Sequence, residues 1–154
     1  MLDGIRFEGL VNSALDGVEI PQDNEWYKPV MECKELLDGS QKQVEIYKDI
    51  TVDGQQFLLH GVLDFLRAGE IFDTKFSKTY HVGKYLKSPQ TPMYFALAPG
   101  SYKFTYVICD GKYVYKEPYR PDEVQPIEKY IHDFMAFLDR QNLKETYANY
   151  WQTI

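Results

Sequence analysis

The sequence predicts one α/β (α+β) domain in which helices flank a central sheet containing an antiparallel three-strand meander. Three observations predict it. Apolar residues recur at helical spacing near both ends of the chain, alternating apolar and polar residues fill 43–76, and Asp-Gly and Ala-Gly turns divide that stretch at hairpin spacing. The 154 residues suit a single domain able to bury a real core.

In chain order, Ile5, Phe7, Leu10, Val11, Ala14 and Leu15 fall near one helical face, and Gly17 offers a stop. Residues 18–29 hold Pro21, Asn24 and Pro29 and read as loop, and Val30–Leu37 reads as a short helix ended by Asp38-Gly39. Gln43–Ile50, Phe57–Leu66 and Glu70–Phe76 read as three strands joined by Asp53-Gly54 and Arg67-Ala68-Gly69. After a lysine-rich connection, Gln90–Leu97 reads as a helix with Pro92 in its first turn, where a missing N–H costs little. Tyr102–Cys109 then alternates with Tyr102, Phe104, Tyr106 and Ile108 on one side, and Lys112–Lys116 completes a hairpin through Asp110-Gly111. An amphipathic helix begins near Pro126, with Ile127, Tyr130, Ile131, Phe134, Phe137 and Leu138 on one face. Strands and helices do not strictly alternate, which argues against a doubly wound nucleotide fold, and neither common phosphate-binding glycine loop is present.

Composition excludes other classes. Cys33 and Cys109 are too few for a cysteine-ligated zinc ribbon or an iron–sulfur cluster and read as free thiols of a reducing compartment. No apolar run reaches about 18 residues, and the N-terminus lacks a signal pattern, so the expectation is a cytoplasmic protein with no membrane partner. The net charge of −6 hides an asymmetry. From Thr74 to Cys109 there is no Asp or Glu, but there are five lysines (Lys75, Lys78, Lys84, Lys87 and Lys103). Setting those five aside from the 17 basic residues leaves 12 against 23 acids, or −11, for the remainder. Such a positive strip can bind phosphates because screening makes the nearby field dominate.

The informative stretch is Gly61-Val62-Leu63-Asp64 followed, after a tight turn, by Asp73-Thr74-Lys75. Strand alternation puts Asp73 and Lys75 on one face, and hairpin pairing brings Asp64 near them. Two carboxylates and an ammonium in one small space suit phosphodiester hydrolysis. Mg²⁺ takes oxygen ligands from one or two carboxylates and activates water, and a lysine beside it stabilises forming charge. The plainer alternative is a structural ion pair. On the next helix Gln90 and Tyr94, four apart, share a face and suit contact with a nucleic-acid strand. On the first helix Glu8 sits among Phe7, Leu10 and Val11, where a carboxylate is costly unless paired or ligating a cation.

These motifs, in this order, resemble the PD-(D/E)XK nuclease superfamily, in its RecB-like exonuclease branch found in phages and recombination systems. The resemblance spans roughly residues 4–94: Glu8 on the first helix, Gly61-x-x-Asp64, Asp73-x-Lys75 and Gln90-x-x-x-Tyr94. It implies a restriction-endonuclease-like core with a mixed central sheet, and a metal-dependent DNA exonuclease. By the resemblance Glu8, Asp64, Asp73 and the Thr74 carbonyl ligate one or two Mg²⁺ or Mn²⁺ ions. Lys75 positions or activates the attacking water, and Gln90 and Tyr94 contact DNA. The charge argument adds Lys78, Lys84 and Lys87 as phosphate contacts. No iron–sulfur cluster is implied. Members of the branch carry more chain before the first-helix motif, so the expectation is a missing N-terminal helix or a core excised from a larger protein.

Beyond the DNA substrate, expected partners are a recombination or single-strand-binding protein and a second copy of the chain, the latter through Tyr147, Tyr150 and Trp151. His60, His81 and His132 show no zinc spacing and read as strand-face, loop and solvated helix residues. Two alternatives stand beside the nuclease: a catalytically silent domain of the same fold that binds DNA or protein, and an interaction domain without a metal site.

Overall fold

The computed structural model describes residues 2–151. The elements run α1 (Leu2–Leu15), α2 (Tyr27–Leu37), β1 (Gln41–Val52), β2 (Gln55–Arg67), β3 (Glu70–Phe76), α3 (Gln90–Leu97), β4 (Lys103–Cys109), β5 (Val114–Tyr119), a single 3₁₀ turn (Pro121–Glu123), α4 (Ile127–Arg140) and α5 (Lys144–Trp151). The fold is α+β. Five strands form one mixed sheet in the order β1-β2-β3-β4-β5, antiparallel throughout except for the parallel β3–β4 pair. The meander expected from alternation is present, and α3 supplies the crossover that a parallel pair requires.

Helices pack on both faces of the sheet, although much of the β1–β2 ribbon stays exposed. On one, Phe7, Val11 and Ala14 of α1 and Val30, Cys33 and Leu37 of α2 pack on Phe65, Phe72, Val107 and Cys109. On the other, Phe95 of α3 joins Leu63, Ile71, Phe104, Tyr106 and Ile108, and a smaller cluster links Leu59, Leu97 and Ile127 of α4. No helix among the described residues is long and apolar enough to cross a membrane.

Several boundaries differ from expectation for identifiable reasons. The second helix starts at Tyr27, because Pro29 falls in its first turn and needs no N–H there. Alternation on β4 gives way to burial of Thr105, Val107 and Cys109 as well, since this strand is covered on both faces, while Tyr102 lies outside it and is exposed. β5 starts at Val114 because Asp110 accepts the Lys112 and Tyr113 N–H groups and widens the turn. Pro118 is tolerated because β5 is an edge strand. On α4, Ile127 and Leu138 are buried but Phe134 and Phe137 stay about half exposed. Tyr147 packs edge-on against Phe134, Tyr150 is exposed, and the Trp151 side chain falls outside the described residues.

The sheet is not uniform. β1 and β2 pair from Gln41↔Leu66 to Val52↔Gln55, but β2 and β3 share only Phe65↔Phe72, Leu66↔Ile71 and Arg67↔Glu70. Beyond Phe65 the two strands part in a fork. At the same level the β1–β2 ribbon kinks. Leu63 packs on the α3 side and Phe65 on the α1–α2 side, although residues two apart on a regular strand share a face. Opposite, Gln43 adopts φ +52°, and the regular pairing skips Gln43 and Asp64.

Candidate functional site

The fork is where the candidate residues meet. Asp73 and Lys75 project from β3 toward α3, as alternation requires. The Asp73 carboxylate is 1% exposed, with the Gln90 amide donating to Oδ1 at 2.7 Å and the Lys75 ammonium touching Oδ2 at 2.7 Å. Oδ2 is thus a buried carboxylate oxygen held by the ion pair with that ammonium, while Oδ1 takes the Gln90 amide. Burial pushes the Asp73 carboxyl up to about 6; the Lys75 charge opposes the rise and the Asp64 charge adds to it. For Lys75, burial alone favours the neutral amine, but the Asp73 and Asp64 charges outweigh it and hold the ammonium above its ordinary range. Lys75 is therefore a fixed cation at neutral pH.

Asp64 sits at the kink, half-buried, with the Gln43 amide 3.4 Å from Oδ1. Glu8 approaches from α1, one residue beyond the buried Phe7. Burial raises its carboxyl, Asp64 raises it further, and Lys75 opposes. Residues from α1, β2 and β3, 65 positions apart in sequence between Glu8 and Asp73, thus share one electrostatic neighbourhood. Thr74 is buried in the parallel ladder opposite Val107.

Gly61, the first residue of Gly-x-x-Asp, has a steric reason. A Cβ there would lie 2.5 Å from Leu97 Cδ1 and 3.1 Å from Tyr94 Cε1, so glycine lets α3 rest directly on β2. That approach allows the Tyr94 hydroxyl to donate to the Val62 carbonyl at 2.8 Å, one residue after Gly61 and two before Asp64. Gln90 and Tyr94 share a helix face, as their spacing requires. Both are engaged inside the protein, Gln90 orienting Asp73 and Tyr94 tying α3 to β2.

The lysine strip is more neutralised than the sequence suggests. Lys75 pairs with Asp73, Lys78 with Asp3 of α1 at 2.8 Å, and Lys103 with Glu70 at 2.9 Å. Lys84 and Lys87 are exposed and have no carboxylate partner among the described residues. The histidines stay apart. His60 stacks on Tyr47 with ring centres 4.3 Å apart and meets Glu45, His81 is exposed, and His132 is exposed on α4 as expected, where it also pairs with Asp53.

The donor set suits a hard divalent cation, being all carboxylate, and Asp73 Oδ2 is the oxygen with coordination capacity to spare. Burial and the Asp64 charge raise the Glu8 and Asp73 carboxyls, and that is the strain such a cation relieves. Among the described residues, no three His, Cys, Asp or Glu side chains are yet gathered closely enough to hold an ion, so the carboxylates must draw in to ligate one. Sequence reasoning missed Gln43, whose left-handed backbone shapes the kink, and Thr91 and Tyr106, whose hydroxyls meet at 2.9 Å under the site. Nothing in their local spacing marks them.

No family model matches this chain, and no curated protein matches it. A crystal structure of SSO0001 is similar at 15% sequence identity with a TM-score of 0.48, covering 89% of this chain and 88% of that one.

Proposed function

We propose that this chain is a divalent-metal-dependent DNA exonuclease on a restriction-endonuclease-like core, cutting phosphodiester bonds at the β2–β3 fork. The observation that supports this most is the Asp73 carboxylate: buried, pinned at one oxygen by Gln90, and with the Lys75 ammonium 2.7 Å from the other. Glu8, Asp64 and Asp73 would hold Mg²⁺ or Mn²⁺, which supplies Lewis-acid activation of water and neutralisation of phosphate charge. The protein's own residues do the rest. Gln90 fixes the Asp73 carboxylate through Oδ1 and leaves Oδ2 beside Lys75. Lys75, held protonated by Asp73 and Asp64, donates to the attacking water or to a phosphate oxygen and orients it; a proton acceptor at this position would have to be neutral. Tyr94 and Gly61 keep α3 seated so that Gln90 stays in place.

End-labelled linear DNA and closed circular DNA, each incubated with Mn²⁺, test this. Degradation of linear DNA alone is expected. Lys75→Ala lowers the rate by about 100- to 1,000-fold, as loss of one preorganised charge does, and Asp73→Ala abolishes it. Cleavage of circular DNA would make the enzyme an endonuclease, and equal rates in all three proteins would overturn the assignment.

The absence of a closed ligand group among the described residues favours one second reading, a domain of the same build that binds DNA without cutting it. A metal titration followed by thermal unfolding separates the two. A metal-holding site raises Tm in the wild type and not in Asp73→Ala. A silent domain shows no shift and no cleavage.

A further inference from the structure

A second buried carboxylate lies outside the fork. Glu117, on edge strand β5, is 5% exposed and pairs across the ladder with Tyr106. No cation pairs with it among the described residues, yet four donors converge on it. Oε1 accepts the Tyr85 N–H at 3.2 Å and the Tyr119 hydroxyl, and Oε2 accepts the Tyr80 hydroxyl at 2.7 Å and the Gly83 N–H at 3.2 Å. Three of these four groups belong to the loop 77–89 that joins β3 to α3. A buried anion without a countercharge is costly, so its retention asks for a reason beyond stability.

The loop it holds bears on the fork. Tyr85 stacks on Tyr106 with ring centres 4.7 Å apart, and the Tyr106 hydroxyl meets Thr91 of α3. Lys84 reaches back to β3's end, its ammonium 2.6 Å from Ser77 Oγ, two residues beyond Lys75. Lys84 and Lys87 are the two exposed lysines of the strip that no carboxylate neutralises. Unheld, a loop of this length would place them anywhere within its reach.

We infer that Glu117 is a positioning residue that clamps the 77–89 loop so that Lys84 and Lys87 contact the phosphates of a nucleic-acid strand entering the fork. This rests on the nucleic-acid reading above. It makes a prediction of unusual sign. If Glu117 acted only through its charge, neutralising it would tighten binding to a polyanion. As a clamp, its removal weakens binding, because the carboxylate is what orders the lysines.

The test measures binding of the full chain to a fluorescent single-stranded DNA oligonucleotide, in EDTA, across a range of salt. Glu117→Gln keeps the shape but cannot accept from all four donors. Expected is weaker binding, by about three- to tenfold, with the salt slope flatter by about 1.4 units, the value for two phosphate contacts on a single strand. Lys84→Ala/Lys87→Ala gives the same slope change, and adding Glu117→Gln to that pair changes little more, since both act through the same contacts. A merely structural role lowers Tm but leaves the slope and this non-additivity unmoved. Amide exchange at Gly83 and Tyr85 accelerates in Glu117→Gln. Should that variant fail to fold, Tyr80→Phe, which removes one donor and leaves the carboxylate, is read in the same way. Wild-type binding with unchanged or tighter binding by the variant overturns the clamp alone. A wild type that does not bind DNA overturns the nucleic-acid reading, and the clamp with it.

Discussion

Asp73 carries two consequences that can be measured without any substrate. Its carboxyl titrates near 6 in the fold against 3.8 in an unfolded chain, so protonation favours the folded state. The stability it contributes is fully present below the unfolded value and is lost as pH rises through about 6. In EDTA, Asp73→Asn therefore gains stability relative to the wild type as pH rises from about 4 to about 7, and Tm measured across that range reads the gap. A gap that stays constant would show that the carboxylate is not held in this state. The second single-residue consequence belongs to Gly61. Gly61→Ala drives a methyl group to 2.5 Å from Leu97 and 3.1 Å from Tyr94. Overpacking of this kind costs about 1–3 kcal/mol, and α3 must shift to relieve it. Denaturant unfolding reads the cost. Because α3 carries Gln90, the DNA cleavage proposed above falls further than stability alone accounts for.

At the scale of elements, the β2–β3 hairpin holds an avoidable strain. Ala68 sits at φ +49° and Gly69 at φ +81°, both positions left-handed as a two-residue turn demands, whereas the β1–β2 turn fills the same two places with Asp53 and Gly54. Alanine in this region costs about 1–2 kcal/mol, and asparagine tolerates it better. Ala68→Asn is expected to stabilise by about 0.5–1 kcal/mol, a Tm rise of about 1–4 °C, without touching the fork. This hairpin also shows what a sequence can and cannot reveal. Its strands and turn were legible because period-two alternation and glycine turns act locally. The placement of Asp73 and Lys75 on one face followed from the same rule, and the Gln90–Tyr94 face from helical spacing. The ribbon kink was not legible. It exchanges faces at Gln43 and Asp64 without changing the pairing register, so no insertion or break in the pattern announces it. Nor was Glu117, because a glutamate on an edge strand reads as solvent-facing until the loop that buries it is in place.

At the scale of the molecule, the sheet is a divider with a helical layer on each side, and its two thiols lie in the same layer. Cys33 of α2 and Cys109 of β4 are both fully buried in the α1–α2 cluster, and burial pushes their thiols up to about 12 and about 11. Neither can react with an alkylating reagent while the fold is closed, because the thiolate is the nucleophile and the reagent has no access. Each sulfur is thus a clock for the opening of its own element. If the α1–α2 layer parts from the sheet as a unit, the two are labelled at one rate. If α2 peels away first, Cys33 reacts sooner, and mass spectrometry of partly labelled protein shows which species appears. The chain therefore carries, without engineering, a pair of internal stopwatches on either side of a single seam.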